Sequence, residues 1–478
     1  MGTTKLILAF IISLFLSLYV NAQCKFSIIY LKTQQDVDDF PKKYPCPVIE
    51  AEISFINSTQ ISNTDSLYIL KQIIGNLNLQ NADNLQSLAG LKNLTSITGK
   101  LNVSFNALLE NFKGLEKLNT VGELSVIYNE ALKSYDGLSG LRTVAGQIIQ
   151  FNNNALTSMN ALNGLINVGG NIQISNCPEL KTYPAFTNLK MIGGWFSINE
   201  MANLQMIDVM PNVTSIGKFI NIYNCPNLTK ISGFNKLTTI GESLSFHDLV
   251  LLTELSGFQN TLNINKGFNL YNCSSLKEIN ILNKLNKIQG AITIQDNTSL
   301  ERIKGFSLLK DMTNNKLIIK NNKKITSIVG FSNIQSNTFS SIEIKGNSML
   351  DTCHIKSICD FTKVPANSSK IIIESNATSC IDLNTVKSKC SFPVFTEDYY
   401  DARLIKIYPL PSYDIVNVKS PYHFTRYELK DITGKLMASS NLQSDNFFSL
   451  EHLDSGIYIL TLYDKYDQSF NAKVVRNK

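Results

Sequence analysis

Apolar positions recur along this chain with a stride of 24 residues. Leu85, Leu109, Leu132, Leu156, Leu180, Leu204, Leu228, Leu252, Leu276 and Leu300 form one ladder, every step being 24 residues but for one of 23. Ile97, Val121, Val144, Val168, Ile192, Ile216, Ile240, Ile264, Ile288 and Met312 keep the same beat. Within one unit, Gly217 to Ile240, Ile220 and Ile222 alternate with polar neighbours, the period of a short strand with one buried side. Leu228, Ile231, Phe234, Leu237 and Ile240 then fall three apart, which suits short bent segments better than a long helix. A fixed period of this length predicts a mainly β, right-handed solenoid of eleven to twelve coils over residues 62–350. At the spacing of parallel strands that is a rod roughly 55 Å long.

Polar residues keep the beat too. Asn81, Asn152, Asn176, Asn224, Asp248, Asn272, Asp296 and Asn321 sit where each strand ends, and their side chains are expected to satisfy backbone groups of the turn. Gly217, Gly233 and their equivalents Gly90, Gly114, Gly137, Gly257 and Gly305 are expected at corners with unusual backbone angles. Gln150 occupies a position that should be apolar, so either the register slips there or the amide bonds inside the core.

Both ends of the stack need covers. At the start, residues 23–61, Thr33-Gln34-Gln35-Asp36 reads as an N-cap and acidic first turn, with Val37 and Phe40 on the apolar side of a short helix that Pro41 ends or bends. Cys24 and Cys46 bracket this helix and are expected to pin it as a lid. At the far end, residues 351–391, Cys353 and Cys359 fall in one expected helix, while Cys380 and Cys390 flank another, Asp382 to Lys389. Four cysteines allow three connectivities, and all three stay open at this level. Cys177, Cys225 and Cys273 lie two coils apart, roughly 9–10 Å, beyond the reach of a disulfide. They are expected to be free buried thiols.

Residues 1–22 read as a signal peptide: Lys5, the apolar run Leu6 to Val20, and the small-residue site Val20-Asn21-Ala22. The run is shorter than the roughly 20 residues of a membrane span, and no later stretch qualifies. An exported chain is the context in which disulfides form. The net charge of +6, from 44 Lys+Arg against 38 Asp+Glu, is mild, and without a basic cluster nucleic acid is not an expected partner. After a linker, 392–404, the texture changes to short strands with turn signals at Pro409-Leu410-Pro411, Asp431 to Lys435 and Asp454-Ser455-Gly456. Residues 405–478 are expected to fold as a small, Ig-like all-β sandwich.

Chemistry-bearing motifs are sparse. The four histidines, His247, His354, His423 and His452, form no zinc spacing, there is no phosphate loop, and no cofactor or metal is expected. Gly241-Glu-Ser243-Leu-Ser245 resembles the serine block of GDSL-type esterases, with His247 and Asp248 nearby. However, Gly241 is the recurring first glycine of its coil, and a catalytic triad needs groups converging from separate elements. No catalytic residue is expected. The candidate ligand-binding residues are aromatic. Trp195 and Phe219 share one outward row, and Tyr223, His247 and Tyr271 another, as a semi-polar patch of the kind that contacts sugars or proteins. Cross-strand stiffening is the plainer role for such rows.

The frame G-x-L-x-I-x-x-N-x-x-x-L, the end segments Thr33 to Cys46 and Asn347 to Cys390, and Ser357-Ile-Cys-Asp360 resemble receptor-L-domain-type leucine-rich repeats of secreted Bacteroidetes proteins. The segments Ile407-Tyr-Pro-Leu-Pro411, Leu429 to Lys435, Leu453 to Ile459 and Lys473-Val-Val-Arg476 resemble the C-terminal sorting domain of type IX secretion, with Pro409-Leu410-Pro411 standing where that family usually has P-N-P. The resemblance implies export through the type IX machinery, engaged by residues 405–478, and release or surface attachment. The repeat, the address and the lack of catalytic groups lead to the expectation of a non-enzymatic binding or adhesion protein whose sheet face takes a glycan or a protein. A passive surface rod shares the fold. A β-helix polysaccharide-degrading enzyme would need clustered carboxylates or basic residues with calcium on adjacent coils, where this chain has mostly Asn, Ser, Gln and Tyr.

Overall fold

The computed structural model describes residues 23–55, 57–390, 405–420, 422–442, 447–464 and 469–477. The expected signal segment 1–22 and the linker 392–404 lie outside the described residues. The chain forms a β-solenoid of about 13 turns and a separate small antiparallel β region at its C-terminus. In each turn a short strand pairs in parallel with its counterpart one coil on, as Ile220–Tyr223 does with Leu244–His247, and that strand with Phe268–Tyr271. A second, two-residue ladder runs Ser215–Ile216, Thr239–Ile240, Asn263–Ile264. Along Ile220–Tyr223 burial alternates, Ile220 and Ile222 enclosed, Asn221 and Tyr223 half-buried. Every rung of both apolar ladders lies in one continuous core. Burying each such side chain contributes about 1.5–3 kcal/mol, so the stack is stabilised by repetition.

The stack is longer than the 24-residue beat because both ends join it. Gln23–Tyr30 pairs with Val48–Ser54, which pairs with Leu77–Gln80. At the other end Ile371–Glu374 pairs with Phe339–Lys345. Thr33 caps the helix Gln34–Asp38 through a reciprocal pair of bonds with Asp36, and Val37 and Phe40 enter the core. Pro41 sits in the first turn of a second short helix, Phe40–Lys43, so it opens a helix where the sequence suggested a stop.

Cys24 pairs with Cys46, Cys353 with Cys380, and Cys359 with Cys390, at Cα separations of 5.9, 5.9 and 5.3 Å. Cys359 lies in the helix Lys356–Thr362, but Cys353 precedes it, a correction to the expectation that one helix holds both. Cys177, Cys225 and Cys273 are free and buried.

The glycines serve two different needs. Gly233 has φ +96°, and an added Cβ would lie 1.9 Å from the Val209 carbonyl oxygen. Gly217 has no such backbone angle; it is needed because a Cβ would lie 2.0 Å from the Gly193 oxygen of the preceding coil. The corner expectation therefore holds only for part of the set, and close approach of successive coils accounts for the rest.

Gln150 keeps its register, paired with Val126 on one side and Ile174 on the other. Its amide bonds within the core. Tyr135 Oη donates to Gln150 Oε1 at 2.6 Å, Asn153 Nδ2 donates to the same oxygen at 2.8 Å, and Gln150 Nε2 lies 2.7 Å from Cys177 Sγ.

The C-terminal region has two antiparallel sheets. One joins Lys406–Tyr408, Ile415–Lys419 and Phe447–Ser449; the other orders Leu436–Asn441, Phe424–Asp431, Gly456–Asp464 and Ser469–Arg476. Val416, Leu429, Leu450, Leu460, Leu462 and Val474 form its own core.

Candidate functional site

In-register stacking brings residues one coil apart side by side. Trp195 and Phe219 immediately precede paired strands, and their rings lie parallel within 2° at a centroid distance of 5.4 Å. Lys218 Nζ stands 5.2 Å from the centre of the Trp195 ring, within cation–π range. Tyr223, His247 and Tyr271 are register partners in three consecutive strands, and the last two rings stack at 4.9 Å. All five are half-buried. The two rows sit at opposite ends of the same strands, roughly 13 Å apart for Phe219 and Tyr223 at the rise of an extended chain. A parallel pair at such a centroid distance is an offset stack, in which each ring covers part of its neighbour's face. The rows are therefore ridges along the coils, not one flat patch.

Partial burial holds the His247 imidazole below its ordinary range, with neighbouring Asp248 opposing the shift. At neutral pH this favours the uncharged ring. Burial raises the Tyr223 phenol, aided by Glu200 and Cys225. Ser243 and His247 lie four residues apart along one extended segment, again roughly 13 Å, too far for the hydrogen bond a nucleophile and its base require. Among the described residues no cluster of three or more His, Cys, Asp or Glu could hold a metal ion. No described helix is long and apolar enough to cross a membrane.

Two features were missed by sequence reasoning. The first is a second aromatic group: Phe105 stacks on Tyr128 at 4.8 Å, and Tyr128 meets Phe151 edge-on at 5.4 Å. Phe105 and Tyr128 hold φ of 57° and 55°, a conformation uncommon for bulky residues. They occupy the corner that most other coils give to Asn or Asp, with Glu200 a further exception, so the gap in the corner ladder between Asn81 and Asn152 was the available signal. The second is a buried ladder one residue further on: Asn106, Asn129, Asn153, Asn297, Asn322, Asn347 and Asn376. Asn322 is representative. Its Oδ1 accepts from the Asn297 backbone N–H at 3.1 Å, and its Nδ2 donates to the Ile294 carbonyl at 2.9 Å.

Where it is present, toward both ends of the stack, this ladder rather than the exposed corner one satisfies the backbone of the turn; the coils between hold Cys177, Met201, Cys225, Leu249 and Cys273 at the same position. The corner residues are selected for positive φ, and their side chains bond mainly to one another, as Asn272 Nδ2 does to Asp248 Oδ1 at 2.8 Å.

No match to the chain is found among curated proteins. Residues 406–477 match the secretion system C-terminal sorting domain family. That tail directs the chain to type IX secretion, and the protein is secreted or displayed at the cell surface.

Proposed function

We propose that this is a non-enzymatic binding or adhesion protein that takes a glycan or protein on its sheet face. The supporting observation is the pair of aromatic ridges, Trp195–Phe219 and Tyr223–His247–Tyr271, on the outward side of the strands, in a chain addressed to the cell exterior. Outward-facing aromatic rows, even half-buried, anchor partners because they bury large area at low entropic cost. The repeat frame and its disulfide-closed ends support placing the solenoid with receptor-L-domain-type leucine-rich repeats of Bacteroidetes. Engagement of the type IX machinery belongs to residues 405–478, and the solenoid is the exported cargo.

The test is a pull-down and glycan-panel assay with the exported protein and a Trp195→Ala/Tyr271→Ala variant. Binding that the variant loses supports the reading. A folded wild-type protein that binds nothing would favour a passive surface rod, which has the same fold and export route.

A further inference from the structure

The outward side of the strands changes character along the stack. Three positions per strand face outward: the residue just before it, its second and its fourth. From Ile148–Phe151 through Ile292–Gln295, none of these positions holds Asp, Glu, Lys or Arg. Charge resumes at both ends of this stretch, with Lys100 and Glu123 on one side and Lys316, Lys320 and Glu343 on the other. Charged residues make up 17% of the chain, so it is their placement that differs, not their supply. Elsewhere on the coils they pair from one coil to the next, as Lys230 with Glu254 and Lys287 with Asp311, both at 3.0 Å.

Inside the uncharged stretch a polar floor spans four strands, bordered by Trp195 and Phe219 along its first two strands on one side and by Tyr223, His247 and Tyr271 along its last three on the other. Ser197, Asn221, Ser245 and Asn269 are register partners in four successive strands, midway between the ridges. Ser197 and Ser245 are only 7% exposed although they face outward, so the floor is sunken. Asn269 Nδ2 donates to Ser245 Oγ at 3.0 Å, while the Asn221 amide on the same floor is half-buried. Charges flank the floor without standing on it: Glu200 and Asp248 at the corner, and on the other side Lys218 against the Trp195 ring and the Lys266–Glu242 pair (2.9 Å).

We infer that this trough holds a neutral, linear polysaccharide lying parallel to the solenoid axis. The inference rests on the sheet-face binding reading and specifies its ligand. A carboxylate, sulfate or phosphate polymer would be desolvated against a floor with no cation to pair it, and the acidic corner would repel it. Hydroxyl and amide groups both donate and accept, which matches the hydroxyls of a sugar, and the aromatic banks match its apolar faces. The floor alternates serine and asparagine at the coil spacing of about 4.8 Å, so a polymer along the axis meets a hydroxyl or an amide at every step and the same group at every second one.

The experiment measures binding of the full exported chain to a panel of soluble neutral glucans, mannans, galactans and xylans, with carboxymethylated and aminated derivatives of each glycan bound. The expected result is binding of at least one neutral polymer, about tenfold weaker after either derivatisation. Affinity should change by less than about twofold between low and high salt, because no ion pair is screened. It should rise with oligosaccharide length until the four floor strands are spanned. Asn221→Asp should weaken neutral binding about tenfold, and Asn221→Gln should retain it.

Preference for a charged derivative, or strongly salt-dependent binding, overturns the inference. So does a protein ligand that Trp195→Ala abolishes while every neutral polymer fails; the sheet-face reading then stands. Absence of any Trp195-sensitive binding removes both.

Discussion

Asn321 and Asn322 are neighbours in sequence that do opposite work, so the same substitution at each should have very different consequences. Asn321 is exposed at the corner with φ 55°, its side chain bonded to Asp296 Oδ1 at 2.9 Å. Asn322 is fully enclosed. Asn322→Ala deprives the Asn297 N–H of its acceptor and the Ile294 carbonyl of a donor, both in the core. It also cuts the amide chain from Asn297 to Asn322 (3.1 Å) and Asn322 to Asn347 (3.2 Å). An orphaned buried N–H costs about 1–3 kcal/mol and each of the three further lost bonds about 1 kcal/mol, so the expected loss is roughly 4–6 kcal/mol. Asn321→Ala loses one exposed bond and places alanine in a left-handed conformation, about 1–2 kcal/mol together, while Asn321→Gly should be close to neutral. Urea unfolding of the exported protein, followed by circular dichroism, measures all three. Because each coil contacts only its neighbours, a local transition near residues 297–347 should appear first in Asn322→Ala. Equal midpoints for the two alanine variants would refute the argument that the buried amides hold the turns together.

Other expectations follow from the same geometry. Gly233→Ala combines an unfavourable φ with a clash at 1.9 Å and should cost roughly 2–5 kcal/mol; Gly217→Ala, which meets only the coil contact at 2.0 Å, should cost about 1–3 kcal/mol, both read from urea midpoints. Burial pushes the Cys177 thiol up to about 11 and the Cys225 and Cys273 thiols up to about 12, so none should react with a disulfide reagent at pH 8 until the protein unfolds. A native-state reaction at any of the three would contradict their enclosure. His247 and His354 are held below the ordinary imidazole range chiefly by burial, so the unfolded chain binds protons more readily than the folded one. Their contribution is present above the unfolded pKa of about 6.5 and is lost as pH falls below it. The urea midpoint should therefore drop between pH 7.5 and 5.5, and His354→Gln should reduce the drop; an unchanged pH dependence would count against it.

The repeat was legible in the sequence because a solenoid imposes one environment per position. Leu228 and Leu252 must be apolar for the same reason, and that reason recurs at each step. Ile220 and Ile222 revealed the strand by their period, and the texture change after residue 404 revealed the second β region. Other properties depend on what lies one coil away, which local pattern does not specify. Whether Gly217 is needed for its backbone angle or for the nearness of Gly193 cannot be read from glycine itself. Asn224 and Asn322 are the same residue type near the same corner, yet one faces water and the other the core, because a single residue turns the side chain inward. The pairing of Cys353 with Cys380, and the bonding of Gln150 to Tyr135, required the coils to be stacked. Sequence alone named the five aromatic candidates; only tertiary structure decided that their rings form two ridges bordering a sunken uncharged floor. Periodicity is written along one chain, whereas a binding face is assembled from side chains that different coils contribute.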